Sequence, residues 1–151
     1  DPEVVDAVIE LFLKNDVDYV SNCSYDSSIK ATYPEGLEVE ILTFKCLEKI
    51  WKNSKKESER EHLTPFIFNN SNKFKIKGVY SKKNLSDYRL TVDYKSDMEF
   101  AIKIYEALYN ENKIFLLNTI IQFLNSNKDI LNLMNKFQRY EGYQISLNKD
   151  K

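Results

Sequence analysis

The sequence predicts a single α/β layered domain, and three observations carry that reading. Short runs at residues 18–22, 36–42, 74–80 and 88–93 mix β-branched, aromatic and aliphatic residues in near alternation and read as strands. Longer stretches between and after them repeat apolar residues at i, i+3 and i+4 and read as helices. Finally, 151 residues that are 42% hydrophobic, 30% charged and 13% aromatic suffice for one core, since a domain of this size hides roughly 68–70% of its unfolded surface. Strands alternating with helices place the candidate site at the C-terminal ends of the strands. There is no internal repeat and no linker that would divide the chain.

The elements follow in order. Asp1 is a candidate N-cap, Pro2 suits the first helical position because its missing N–H has no partner there anyway, and Glu3 favours the positive dipole end. Val4, Val5, Val8, Ile9 and Phe12 then form the expected buried stripe. A helix that begins at the first residue normally follows a strand or structured loop, so the chain is expected to be the C-terminal part of a longer protein. Residues 18–22 form a strand and the polar residues 23–32 a loop. Residues 36–42 alternate, with Val39 and Ile41 on one face and Glu38 and Glu40 on the other. Thr43 caps the next helix, whose stripe is Phe44, Leu47, Ile50 and Trp51. Residues 59–69 look helical, with Pro65 forcing a kink or restart. Residues 74–80 and 88–93 are the last strands, and Ser96 with Glu99 forms a capping box. That helix presents Met98, Ala101, Ile102, Tyr105 and Leu108 to the core. Residues 115–124 and 130–137 are shorter helices, and 139–151 reads as a tail.

Composition excludes several function classes. Lys and Arg number 22 against 23 Asp and Glu, a net charge of -1, so no whole-molecule field draws the chain to nucleic acid or anionic lipid. The ten tyrosines and nine phenylalanines sit at core-like spacing and are not interleaved with lysines as in an RNA-stacking surface. None of the three glycines lies in a phosphate-cradling motif. Cys23 and Cys46 lack the partners of a disulfide framework or a zinc site and read as reduced thiols. No apolar run approaches a membrane span and no signal-peptide pattern is present; the expected location is cytoplasmic.

The best chemical candidate is Asp93, which ends an apolar strand just before a helix N-terminus, where anions and metal–phosphate groups bind readily. The competing account is that Asp93 and Asp97 only cap that helix. Glu38 and Glu40, two residues apart on one strand face, could share a cation or simply face solvent. Residues 59–62 gather charge around His62, the single histidine, without the nucleophile motif that a catalytic relay needs.

These segments, in this order, resemble the cytidylyltransferase family of spore coat polysaccharide biosynthesis proteins, itself similar to acylneuraminate and 3-deoxy-manno-octulosonate cytidylyltransferases. The matching stretches are DPEVVDAVI at the start, DYVSN at 18–22, TYPEGLEVEIL at 32–42, EREHLTPFI at 59–67 and RLTVDYKSDME at 89–99, with RYEGYQISLNKD at 139–150 as a closing segment. The resemblance implies a three-layer nucleotide-diphospho-sugar transferase-like, Rossmann-like sheet, present here as its C-terminal part. It implies transfer of CMP from CTP to a sugar or sugar acid, with Mg²⁺, release of pyrophosphate and a role in surface polysaccharide synthesis. In such enzymes the Arg/Lys-rich nucleotide loop and a second metal aspartate lie upstream of the stretch matched by residue 1.

Residue by residue, the resemblance makes Asp93 a Mg²⁺ ligand and catalytic group. Tyr33, Glu38 and Glu40 border the acceptor sugar, and Arg60 and His62 face the same pocket, Arg60 also counting as catalytic. The family commonly has aspartate where this chain has Glu38, and Thr-Pro where it has Tyr94-Lys95. A homodimer is implied, paired through a region that includes residues 63–68. The chain alone is expected to be inactive for want of the upstream loop. The alternative is a non-catalytic sugar-binding or assembly module derived from the same fold.

Overall fold

The computed structural model describes residues 1–23, 29–134 and 139–150. Helix α1 (Pro2–Leu13) starts as its sequence requires: the Asp1 carboxylate accepts the Glu3 N–H at 2.9 Å, with Pro2 in the first turn. Strands β1 (Tyr19–Ser21), β2 (Glu40–Leu42) and β3 (Ile76–Gly78) form a sheet of order β2-β1-β3, antiparallel between β1 and β2 and parallel between β1 and β3. Helix α2 (Phe44–Asn53) is capped by Thr43, whose hydroxyl accepts the Cys46 N–H at 3.0 Å. The chain then forms α3 (Glu57–Glu61) and α4 (Pro65–Asn69), so Pro65 restarts the helix. Beyond β3 come α5 (Lys95–Leu108), α6 (Leu117–Ser126), α7 (Lys128–Leu131) and α8 (Glu141–Lys149). The mixed α/β architecture is the one the sequence predicts.

One core cluster lies on the sheet: Tyr19, Cys46, Ile50, Phe66, Ile67, Phe68 and Phe74 pack with Ile29, and Phe68 meets the Tyr19 ring edge-on at 5.6 Å. Residues 65–68 are therefore buried in the chain's own core. A second cluster joins Phe100 and Ile104 of α5 to Leu124 of α6 and to Met134, with Tyr88 and Leu90 packed against it.

The structure corrects several sequence expectations. Residues 36–39 are not strand, because the buried Asn22 side chain takes their backbone groups: its Nδ2 donates to the Leu37 carbonyl and its Oδ1 accepts the Val39 N–H, both at 2.8 Å. Glu38 and Glu40 thus do not share a strand face. Residues 88–93 make a single parallel bridge, Glu35 to Arg89, and no strand. Helix α5 begins at Lys95, so Ser96 is not its cap. The Asp97 carboxylate instead reaches back to the N–H groups of Asp93 and Tyr94, both at 3.0 Å. The buried face of α5 is Asp97, Phe100 and Ile104, while Met98, Ile102 and Tyr105 are exposed.

The same displacement occurs on α1, where Val4 and Val8 are buried and Val5 and Ile9 are exposed. On α2, Cys46 and Ile50 are buried while Phe44 and Trp51 are exposed. Each of these segments carries two overlapping apolar stripes, and only packing selects one. The expected tail at 139–151 is largely α8, tied to α3 through Ser58 donating to Asp150 and Ser146 donating to Glu61. Of the helix expected at 130–137, residues 130 and 131 end α7, residues 132–134 form a turn and a bend, and residues 135–137 lie outside the described residues.

Candidate functional site

The site is organised by one buried cation. Arg89 is 7% exposed, and its guanidinium faces three carboxylates from two chain segments: Asp97 Oδ1 lies 2.7 Å from Nη1, Asp93 Oδ2 2.6 Å from Nη2, and Glu35 Oε2 3.6 Å from Nε. Burial opposes the Arg89 charge, but the hydrogen bond and charge of Asp97, with Glu35 and Asp93, outweigh it and hold the guanidinium above its ordinary pKa. Arginine suits this position because its fork addresses several carboxylates at fixed angles, which an ammonium cannot do.

Local chain geometry brings the partners in. Gly36 at φ 95° turns the chain after Glu35, and Glu35 exchanges backbone hydrogen bonds with the neighbouring segment: its N–H donates to Tyr88 and its carbonyl accepts from Leu90. A Cβ at Gly36 would stand 2.7 Å from the Thr91 nitrogen, so only glycine permits this approach. Arg139 extends the network. Its Nη2 donates to Glu38 Oε1 at 2.9 Å and its Nη1 to the Tyr33 carbonyl at 3.2 Å. The adjoining Tyr140 N–H donates to Glu35 Oε1 at 3.3 Å, with Tyr140 in the left-handed region at φ 61°. Burial raises the Glu35 pKa, an effect opposed by the Tyr140 N–H, Arg139 and Arg89. Glu35, Arg89, Asp93, Tyr94, Tyr140 and Glu141 line an open cleft of about 250 Å³.

The residues singled out from sequence fall into two groups. Asp93, Tyr33 and Glu38 belong to this network. Asp93 stands on its rim with its side chain 62% exposed, and Glu38 also accepts the Gly36 N–H at 2.7 Å. Of the residues singled out, Asp93 alone lines the cleft; Tyr33 and Glu38 touch the network behind it, and Glu40, Arg60 and His62 do neither. Glu40 accepts the Tyr19 hydroxyl. Arg60 is exposed on α3 and makes no ion pair among the described residues. His62 closes the end of α3, and its half-buried ring meets Tyr143 of α8 edge-on at 5.6 Å.

Sequence reasoning missed Glu35, Arg89, Asp97 as a cluster member, and Arg139. The available signal was an arginine set inside an apolar run with an aspartate four residues on. Read as a strand, that spacing separates the two by roughly 13 Å, which concealed the pair.

Among the described residues no group of three or more His, Cys, Asp or Glu is arranged to hold a metal ion. Asp93 is nevertheless a suitable single donor, since Arg89 engages one of its oxygens and the carboxylate is solvent-facing. Mg²⁺ takes one or two carboxylates and completes its shell with water and substrate phosphate oxygens, so a lone carboxylate fits that chemistry. No helix of the described residues is long and apolar enough to cross a membrane.

Comparison with known proteins agrees with the fold. No family model matches the chain. An uncharacterized protein of Methanocaldococcus jannaschii is 34% identical over 146 residues, which cover 94% of this chain and 55% of that protein. The solved structure of a cytidylyltransferase from Leptospira borgpetersenii serovar Hardjo-bovis matches with a TM-score of 0.78 at 26% identity, over 91% of this chain and 56% of that one. The chain therefore spans about half the length of both relatives. Over that half, its α/β architecture is that of a cytidylyltransferase, which supports a place in that family.

Proposed function

We propose that this chain is the sugar-facing half of a cytidylyltransferase, and that the whole protein activates a sugar or sugar acid with CTP, releasing pyrophosphate and supplying a CMP-sugar for surface polysaccharide. The observation that carries the reading is the structural match to a cytidylyltransferase over 91% of the chain, joined to a cleft that has an exposed carboxylate, Asp93, on its rim. Mg²⁺ bound there would screen the phosphate charges and the charge developing on the transferred group.

The chain's own residues have distinct tasks. Asp93 offers one hard oxygen. Asp97 and Arg89 hold the backbone and the side chain of Asp93. Tyr33 and Glu38, tied to Arg139 through the Tyr33 carbonyl and the Glu38 carboxylate, stand behind the cleft on its acceptor side. Arg60, exposed on α3 and without an ion-pair partner among the described residues, would meet only an acceptor that extends beyond this cleft, as would His62 and Glu40. The acceptor hydroxyl attacks the α-phosphate and pyrophosphate leaves.

The test is pyrophosphate release by the whole protein with CTP, Mg²⁺ and a panel of sugars and sugar acids, compared with Asp93→Asn. Turnover should fall by about two orders of magnitude or more in the variant, a loss of a few kcal/mol of transition-state stabilisation. The side chain is 62% exposed, so losing its ion pair should cost folding stability at most about 1 kcal/mol. An unchanged turnover number in a less stable Asp93→Asn protein would make Asp93 structural and overturn the assignment. No release with any acceptor would favour a non-catalytic module.

A further inference from the structure

We propose that Arg89 is a positioning residue: it aims the Asp93 carboxylate into the cleft, with Asp97 as its buried anchor. The inference rests on Asp93 being the metal-holding carboxylate of the proposed reaction, and names what sets that carboxylate's direction. Asp93 is held at two points of one closed ring. Its N–H donates to Asp97 Oδ2 at 3.0 Å, and its Oδ2 accepts from Arg89 Nη2 at 2.6 Å. Arg89 Nη1 returns to Asp97 Oδ1 at 2.7 Å. Asp97 is 2% exposed and Arg89 7%, whereas the Asp93 side chain is 62% exposed. A buried, geometrically fixed pair thus grips a surface carboxylate through one of its two oxygens.

Helix capping alone does not need Arg89, because Asp97 already accepts the N–H groups of Asp93 and Tyr94. Charge alone argues against a cation here, since a guanidinium beside Asp93 repels a divalent ion. An arrangement that holds a positive group against a metal-binding carboxylate makes sense as orientation: groups that bind a ligating side chain from behind fix its direction, and altering them typically lowers metal affinity 10–100-fold.

The two accounts predict opposite signs, which makes the test decisive. The probe is Mn²⁺ alone, titrated into the ¹⁵N-labelled protein, and the readout is paramagnetic broadening of the amide signals of residues 92–95. Asp93→Asn should abolish the local broadening. Arg89→Lys keeps the charge but loses the fork, and should raise the Mn²⁺ concentration for half-broadening about tenfold. Arg89→Gln, where folded, should also bind more weakly, although removal of a positive charge by itself predicts tighter binding.

If Arg89→Lys binds Mn²⁺ as well as the wild type while Asp93→Asn does not, the positioning role is refuted and the metal assignment stands. If Asp93→Asn leaves the broadening unchanged, both fall. A measurement on the wild type needs no variant: on titration with Mg²⁺, the Arg89 guanidinium signals should move in step with the Asp93 amide. Guanidinium signals that stay fixed while the amide moves overturn the proposal.

Discussion

Asn22 offers the most direct test of how the fold builds its site. It is fully buried, and its amide bonds the Leu37 carbonyl and the Val39 N–H on either side of Glu38, beside the Ser21 hydroxyl and the Asn22 N–H, which reach the Val39 carbonyl. Asn22→Ala removes both hydrogen bonds and leaves the Leu37 carbonyl and the Val39 N–H without those partners. An orphaned buried polar group costs about 1–3 kcal/mol. Leu37 and Val39 are only half-buried, so water can partly compensate and the lower part of that range applies to each. The expected loss is about 2–4 kcal/mol, or roughly 4–16 °C in Tm for a chain of this length. Urea unfolding should show an earlier midpoint at an unchanged slope, and the Val39 amide should lose its hydrogen-exchange protection. A loss below about 1 kcal/mol with Val39 still protected would show that other contacts hold this segment, and that Asn22 does not set the position of Glu38.

Other outcomes follow from the same structure. Gly36→Ala forces a side chain into a left-handed backbone with its Cβ 2.7 Å from the Thr91 nitrogen; it should destabilise by about 1–3 kcal/mol for the backbone alone, and an unchanged denaturation midpoint would refute the close approach of these segments. Burial pushes the Cys23 thiol up to about 12 and that of Cys46 up to about 11, and raises the Tyr19 phenol as well. The native state therefore keeps protons that the unfolded chain releases, and stability should fall as pH rises above about 9, by up to about 1.4 kcal/mol per unit per group; a flat stability profile between pH 8 and 10.5 would contradict this. Native protein should also resist alkylation at both cysteines until it unfolds, as peptide mass mapping would show. In the whole protein, Arg60→Lys should weaken acceptor binding by about 1.5–3 kcal/mol with CTP binding unchanged, and unaltered acceptor affinity would remove Arg60 from the pocket.

The sequence by itself determined the α/β class, the start of α1, the Thr43 cap, the restart at Pro65 and the presence of every strand that forms. Each of these depends on neighbours within a few residues: a capping oxygen, a missing N–H, an alternating run. Asp93 stood out locally, as a carboxylate closing an apolar run just before a helix, and Glu38 from its place in an alternating run, whereas Tyr33 came only with the family resemblance. Tertiary structure decided which apolar stripe of α1, α2 and α5 faces inward, since Phe44 and Trp51 are as apolar as Ile50 and only the sheet underneath selects between them. It also decided that the Leu37 and Val39 backbone groups pair with the Asn22 side chain and that Glu141–Lys149 form a helix against α3. The cluster around Arg89 was beyond reach for the same reason. Glu35, Arg89 and Asp97 are separated along the chain, and what unites them is the energetic demand that a buried guanidinium be met by carboxylates, a demand that exists only once the chain has folded around it.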